Sequence, residues 1–227
     1  MDSQKALWNE KQNQLRSILL KPERFDEAIQ LCLEQHAMVH VSSVSELGLQ
    51  TFEDELWEGL AENAFRSLPK GKGETIAWGI WHITRIEDIT MNILVDGGPQ
   101  VIKNNNWLEK MDVSVCDTGN AMTHAEITAF SSTLNMQILR EYRVAVGQRT
   151  REIISNFNPA DLKRKMQTSR LQRIIDESAV LNIEGANWLI DFWGRKNVAG
   201  ILLMPVTRHQ LVHINESLRL KQLLMKK

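Results

Sequence analysis

The chain has 227 residues, 43% of them hydrophobic, and its 27 basic and 28 acidic side chains leave a net charge of −1. That length and apolar share are enough for one well-buried domain, read here as spanning residues 1–227. Near-neutral, interspersed charge disfavours nucleic acid or an anionic membrane as a partner. Residues 1–14 are polar and lack the apolar core of a secretory signal, and no uncharged stretch approaches bilayer length, so a cytoplasmic protein is expected. Cys32 and Cys116 stand at no metal-binding spacing and are expected to be free thiols in a reducing compartment, without an assigned role.

Most segments carry a 3.6-residue apolar period and few prolines or glycines interrupt them, so the expected fold is all-α. A polar helix over about 2–20 leads into a second over 22–37, with Pro22 in its first turn and Phe25, Ile29, Cys32 and His36 on one face. A shorter helix over 52–68 stops at Pro69, Gly71 and Gly73. The next long helix, 74–95, carries Ile76, Gly79, Ile80, Ile83, Ile86, Ile89, Ile93 and Leu94 on one arc with His82 inside it, and Arg85 and Asp88 on the polar side. Asp96, Gly97, Gly98 and Pro99 end it, and the chain to about 122 reads as loop. Thr123 and Glu126 have capping-box spacing and open a long helix to about 157. Short helices follow over 161–167, 184–193 and 197–204, and Pro205 begins the last long helix, which ends near 224. Four long helices in one bundle, with short helical additions, is the economical architecture.

Histidine placement carries the functional signal. His209 and His213 are four residues apart, so on a helix their Cβ atoms lie about 5–6 Å apart on one face. They share a stripe with Glu216 and with Val206, Val212, Leu220 and Leu223, which points three ionisable groups toward the core. Buried polar groups need partners, and a metal ion is one way to supply them. Bundle metal sites are assembled from facing helices, so His82 is the candidate third ligand. Three protein ligands leave an open coordination position, as in catalytic rather than structural metal sites. The bland alternative is that the three histidines are satisfied core residues or line the edge of the bundle. His36 and His40 have the same spacing and form a rival pair, but Val41, Ser42, Ser43 and Val44 suggest that the helix has ended by His40. Glu216 is the candidate base, a ligand itself or the orienting partner of a ligand imidazole; the bland alternative is a partly exposed side chain at the end of the bundle. Arg208 projects about 100° away from His209 and reads as a solvated charge.

Trp78 and Trp81 flank this signal, and Trp188 and Trp193 precede the last helix; packing is their default role, a ligand-cleft wall the functional one. No phosphate-cradling glycine loop, GxSxG or HExxH is present. Leu211, Ile214 and Leu218 give the last helix a second apolar face, which suits either further helices or a homodimer partner.

Two stretches, Thr75-Ile-Ala-Trp-Gly-Ile-Trp-His82-Ile-Thr-Arg-Ile-Glu-Asp88 and Pro205-Val-Thr-Arg-His209-Gln-Leu-Val-His213-Ile-Asn-Glu216, resemble the DinB-like superfamily of metal-binding four-helix bundles, which includes YfiT-like metal-dependent hydrolases. The resemblance covers about 22–224. It implies a divalent metal, nickel or zinc, held by one His on the second long helix and an HxxxH pair on the fourth, the positions of His82, His209 and His213. It also implies a small-molecule substrate, since characterised relatives include transferases and isomerases that use low-molecular-weight thiols. The loops and terminal helices here are longer than in the shortest members, so the resemblance does not carry a substrate over. The expectation is a metal-dependent hydrolase or thiol-dependent transferase. The alternative is a non-catalytic, stress-related bundle that binds metal or ligand.

Overall fold

The computed structural model describes residues 2–45 and 48–225, and these contain helices, turns and no β-strand. Helix α1 (Asp2–Ile18) is followed by a 3₁₀ turn at Pro22–Arg24 and by α2 (Phe25–Met38). The single helix expected over 52–68 is instead two, α3 (Phe52–Trp57) and α4 (Glu62–Arg66), because Gly59 between them adopts φ +64°. Helix α5 (Ile76–Asp88) is capped by Thr75, whose hydroxyl accepts the Trp78 N–H at 3.0 Å. It continues as a wider π turn over Ile89–Asp96 and stops at Gly97, φ +83°.

After the short α6 (Trp107–Met111), the Thr123–Glu126 capping box forms as its spacing predicts and opens α7 (His124–Thr133). The expected continuous helix to 157 breaks, however. Leu134 leaves helical geometry at ψ 118°, and the Asn135 side chain restarts the chain by accepting the N–H groups of Gln137 and Ile138, giving α8 (Met136–Ser155). Residues 161–167 hold only a 3₁₀ turn at Asp161–Lys163. The helix in this region is α9 (Thr168–Asp176), whose buried residue is Ile174. Then come α10 (Glu184–Gly194), α11 (Val198–Leu203), a π turn at Met204–Arg208 containing Pro205, and α12 (His209–Met225).

Helix α5 is the axis of the bundle. It packs against α8 and α12, while α2 meets α8 and the turn before α12, closing a ring of four; α1 lies along α2 and α11. Every residue from Ile76 to Val95 except Trp78 is buried. Each of its buried isoleucines contributes about 1.5–3 kcal/mol. Arg85 and Asp88, expected on a polar side, are therefore buried as well. They satisfy each other. Arg85 donates to Asp88 at 2.8 Å, to Tyr142 at 2.7 Å and to the Cys116 carbonyl at 2.9 Å, while Asp88 accepts Tyr142 O–H at 2.6 Å and the Val101 and Ile102 N–H groups at 2.8 and 3.0 Å. A central helix has no solvent side, so its polar residues must pair inside.

On α12 the second apolar face of Leu211, Ile214 and Leu218 is buried, and α12 packs against α5, α3 and α4 of the same chain. The histidine stripe lies at the edge of the core. Val206 and Leu220 are buried, but Val212 is 37% and Leu223 50% exposed, contrary to the expected inward placement of all four. No helix among the described residues is long and apolar enough to cross a membrane.

Candidate metal centre

His82 comes from the middle of α5, and His209 and His213 come from the first two turns of α12. Two contacts hold these helices close. Gln210 donates to the Ile83 carbonyl and to the Pro205 carbonyl, each at 3.0 Å, which fixes the first turn of α12 on α5. Gly79 then lets the helices approach, since a Cβ there would sit 3.3 Å from Ser217 Oγ. The three rings form a nearly equilateral triangle with centroids 5.1, 4.9 and 4.7 Å apart. One nitrogen from each ring lies within 4.8 Å of the others.

A loop fixes the orientation of His82. Three α5 side chains donate to three successive carbonyls, Trp81 to Asp117 at 3.1 Å, His82 Nδ1 to Thr118 at 2.8 Å and Trp78 to Gly119 at 3.2 Å. Gly119 has φ +72°, and a Cβ there would come within 2.7 Å of the Trp78 indole nitrogen. The proton held on Nδ1 leaves Nε2 as a bare lone pair. That Nε2 lies 3.3 Å from Nε2 of His209, whose Nδ1 is buried without a partner. Trp78 stacks on His82 at 4.8 Å and 8°, and meets His213 edge-on at 6.2 Å.

Two of the imidazoles, His82 and His209, are held neutral. Burial, reinforced by the charge of His213, pushes His82 down to about 3 against the favourable Thr118 carbonyl. Burial and the neighbouring imidazoles likewise hold His209 well below the usual histidine range. Neutral imidazole is the ligand form. Three ring nitrogens converging at this distance form a donor set that fits a cation.

Glu216 faces His213. Its Oε2 lies 3.0 Å from Nδ1, an ion-pair contact whose angle is off-line for a hydrogen bond. The His213 imidazole holds the Glu216 carboxyl below the usual range against partial burial. Glu74, which the sequence reading missed, lies 3.9 Å from the same nitrogen, and burial together with Glu216 raises its pKa. Arg208 is solvent-facing, as expected, and donates to Asn9 at 2.7 Å.

The rival pair is also assembled, but differently. Helix α2 ends at Met38, two residues before His40, yet both rings are buried and tilted against each other at 4.3 Å. His36 Nε2 lies 2.8 Å from one oxygen of Glu87, and His40 Nε2 lies 2.9 Å from the other. Arg143 closes the cluster by donating to Glu53 at 2.8 Å, to Thr84 at 3.2 Å and to the Val39 carbonyl at 2.8 Å. Burial strongly disfavours a charge on Glu87, but its two imidazoles together hold it well below the usual carboxylate range. Burial and His40 push His36 down to about 4. Glu87 was available as a signal, since an acid in an isoleucine-rich helix needs a partner, whereas nothing in the sequence foretells the Thr118 carbonyl.

The family comparison adds what geometry alone does not. Residues 54–215 match the model of the DinB superfamily, well over half the chain. The chain belongs to the DinB superfamily. The matched span holds His82, His209 and His213, leaves out His36 and His40, and stops one residue before Glu216. Among solved structures, a conserved protein from Enterococcus faecalis shares the DinB fold of this chain at TM-score 0.58 and 16% identity, covering 87% of this chain and 97% of its own. No curated protein sequence matches significantly.

Proposed function

We propose that this DinB-superfamily protein binds a divalent metal, nickel or zinc, through His82, His209 and His213, and acts as a metal-dependent hydrolase or low-molecular-weight-thiol-dependent transferase on a small molecule. The observation that carries this reading is the convergence of three imidazoles, one with its tautomer fixed by a backbone carbonyl, with no fourth ligating side chain joining them among the described residues. A metal bound there supplies Lewis acidity, polarising a substrate oxygen or lowering the pKa of a coordinated thiol.

The chain's own residues do the positioning. Thr118 keeps the His82 proton on Nδ1, Trp78 covers the other side of that ring, and Glu216 accepts positive charge from His213. Glu216 is also the carboxylate nearest the site with partial exposure, so it is the candidate base toward a bound substrate. Cobalt substitution tests the open position. Adding a thiol such as cysteine to the cobalt protein is expected to produce a sulfur-to-metal charge-transfer band. An unchanged spectrum with thiols and small anions alike would show the site to be closed and the enzymatic reading wrong.

A further inference from the structure

A cavity of about 660 Å³ opens beside the histidines, between the turn before α5 and the end of α12. Its size lies in the range of small-molecule sites. Trp78 and Glu216 form its inner end, and these are the residues that touch the rings of His82 and His213. Lys72 and Arg219 stand on its walls, and among the described residues neither makes an ion pair with a carboxylate. Leu223, 50% exposed, lies on the same wall beside the buried Leu220. Unpaired cations and an exposed leucine in one concavity are unexplained by the fold, because neither is needed to close the core.

We infer that this cavity is the substrate subsite and that it selects a small amphiphilic anion, a carboxylate or phosphate on an apolar body. The inference rests on the reading of the three histidines as a metal centre. Lys72 and Arg219 take the anionic group, Leu220 and Leu223 take the apolar body, and Trp78 offers an aromatic face toward the histidines. Glu74 and Glu216 oppose an anion, but Glu216 is turned onto His213 and both stand beside a site that a divalent cation would make more positive. With a divalent cation bound at the histidines the balance favours negative charge, and low-dielectric walls focus that field; without it Lys72 and Arg219 balance Glu74 and Glu216. The chain's net charge of −1 gives no such preference over the surface as a whole, so the selectivity is local. Arg219, Leu220 and Leu223 lie beyond the span matched to the superfamily, whereas Lys72, Glu74 and Trp78 lie within it.

Isothermal titration of the zinc-loaded protein with octanoate, octanol and octylamine tests the proposal. Octanoate is expected to bind more tightly than octanol and octylamine. The double variant Lys72→Gln/Arg219→Gln, whose changes lie on the surface, should lose at least about tenfold in octanoate affinity, the size of one charge-assisted contact, with octanol unaffected. Octylamine binding as tightly as octanoate, an octanoate affinity that survives the double substitution, or saturation by none of the three would overturn the inference. Repeating the titration on His209→Ala/His213→Ala separates the two readings. If the metal centre is wrong, wild type and this variant hold no zinc, and the loss of octanoate affinity on Lys72→Gln/Arg219→Gln still reads Lys72 and Arg219.

Discussion

Two histidine pairs with the same four-residue spacing end up in opposite circumstances. His36 and His40 close on the two oxygens of Glu87, fully buried, with Arg143 donating to Glu53 beside them, while the Nδ1 atoms of both rings lack a hydrogen-bond partner among the described residues. His209 and His213 meet a third imidazole in place of a carboxylate and stay partly exposed. Spacing is common to both and so cannot be what makes a metal site. The difference lies in the counter-charge: Glu87 already supplies a negative partner to the two imidazoles of one cluster, whereas in the other the three imidazoles face one another without a carboxylate among them.

The largest effect that would break this comparison is in metal content. Elemental analysis is expected to give about one divalent ion per wild-type chain and essentially none in His209→Ala or His213→Ala. His36→Ala should keep its metal if it folds, and loss confined to that variant would transfer the site to the other cluster.

Stability should show the reverse pattern. Glu87→Ala removes the shared partner of two buried imidazoles and the negative charge between them, and should cost about 3–5 kcal/mol in urea unfolding. His209→Ala should cost the metal-free protein far less, because its ring has little to lose. Equal destabilisation by both would mean that the three-histidine cluster is also structural.

Acid should separate the clusters through their protons. His36 is held near 4 and His82 near 3 in the folded protein, both below the unfolded value of about 6.5. The unfolded chain therefore binds more protons, so the stability present above pH 6.5 falls as pH drops toward those folded values, by about 1.4 kcal/mol per unit for each such imidazole. Urea midpoints measured from pH 7 to 4 should decline in the metal-free protein. Saturating zinc should raise them near neutrality and be released as acid competes for the imidazoles. A flat profile would show that neither histidine is held neutral.

The smallest effect sharpens the role of Glu216. Glu216→Gln keeps the side-chain shape but removes the charge facing His213, and should weaken zinc affinity by about 10–100-fold with the fold intact. A competitive chelator titration matching wild type would show that Glu216 does not support the ligand and would leave Glu74 as the partner to test.

Much of the fold was legible because local signals sufficed. The Thr123–Glu126 capping box, Pro22 and Gly97 mark ends that depend on a few residues. The break at Leu134 was not legible, since the apolar rhythm runs through it and only the Asn135 cap betrays it. Arg85 and Asp88 were misplaced because a helical wheel assumes a wet side, and α5 has none.

What the sequence determined by itself is the all-helical class, the histidines at ligand spacing on α12 and the position of His82 inside an apolar arc, each a consequence of the 3.6-residue period. Tertiary structure decided which histidines meet a carboxylate and which meet one another. It also supplied the Thr118 carbonyl that fixes the His82 proton, and the edge position that leaves Val212 and Leu223 in water. Periodicity specifies a side chain's direction around its own helix, and only packing specifies what stands opposite it.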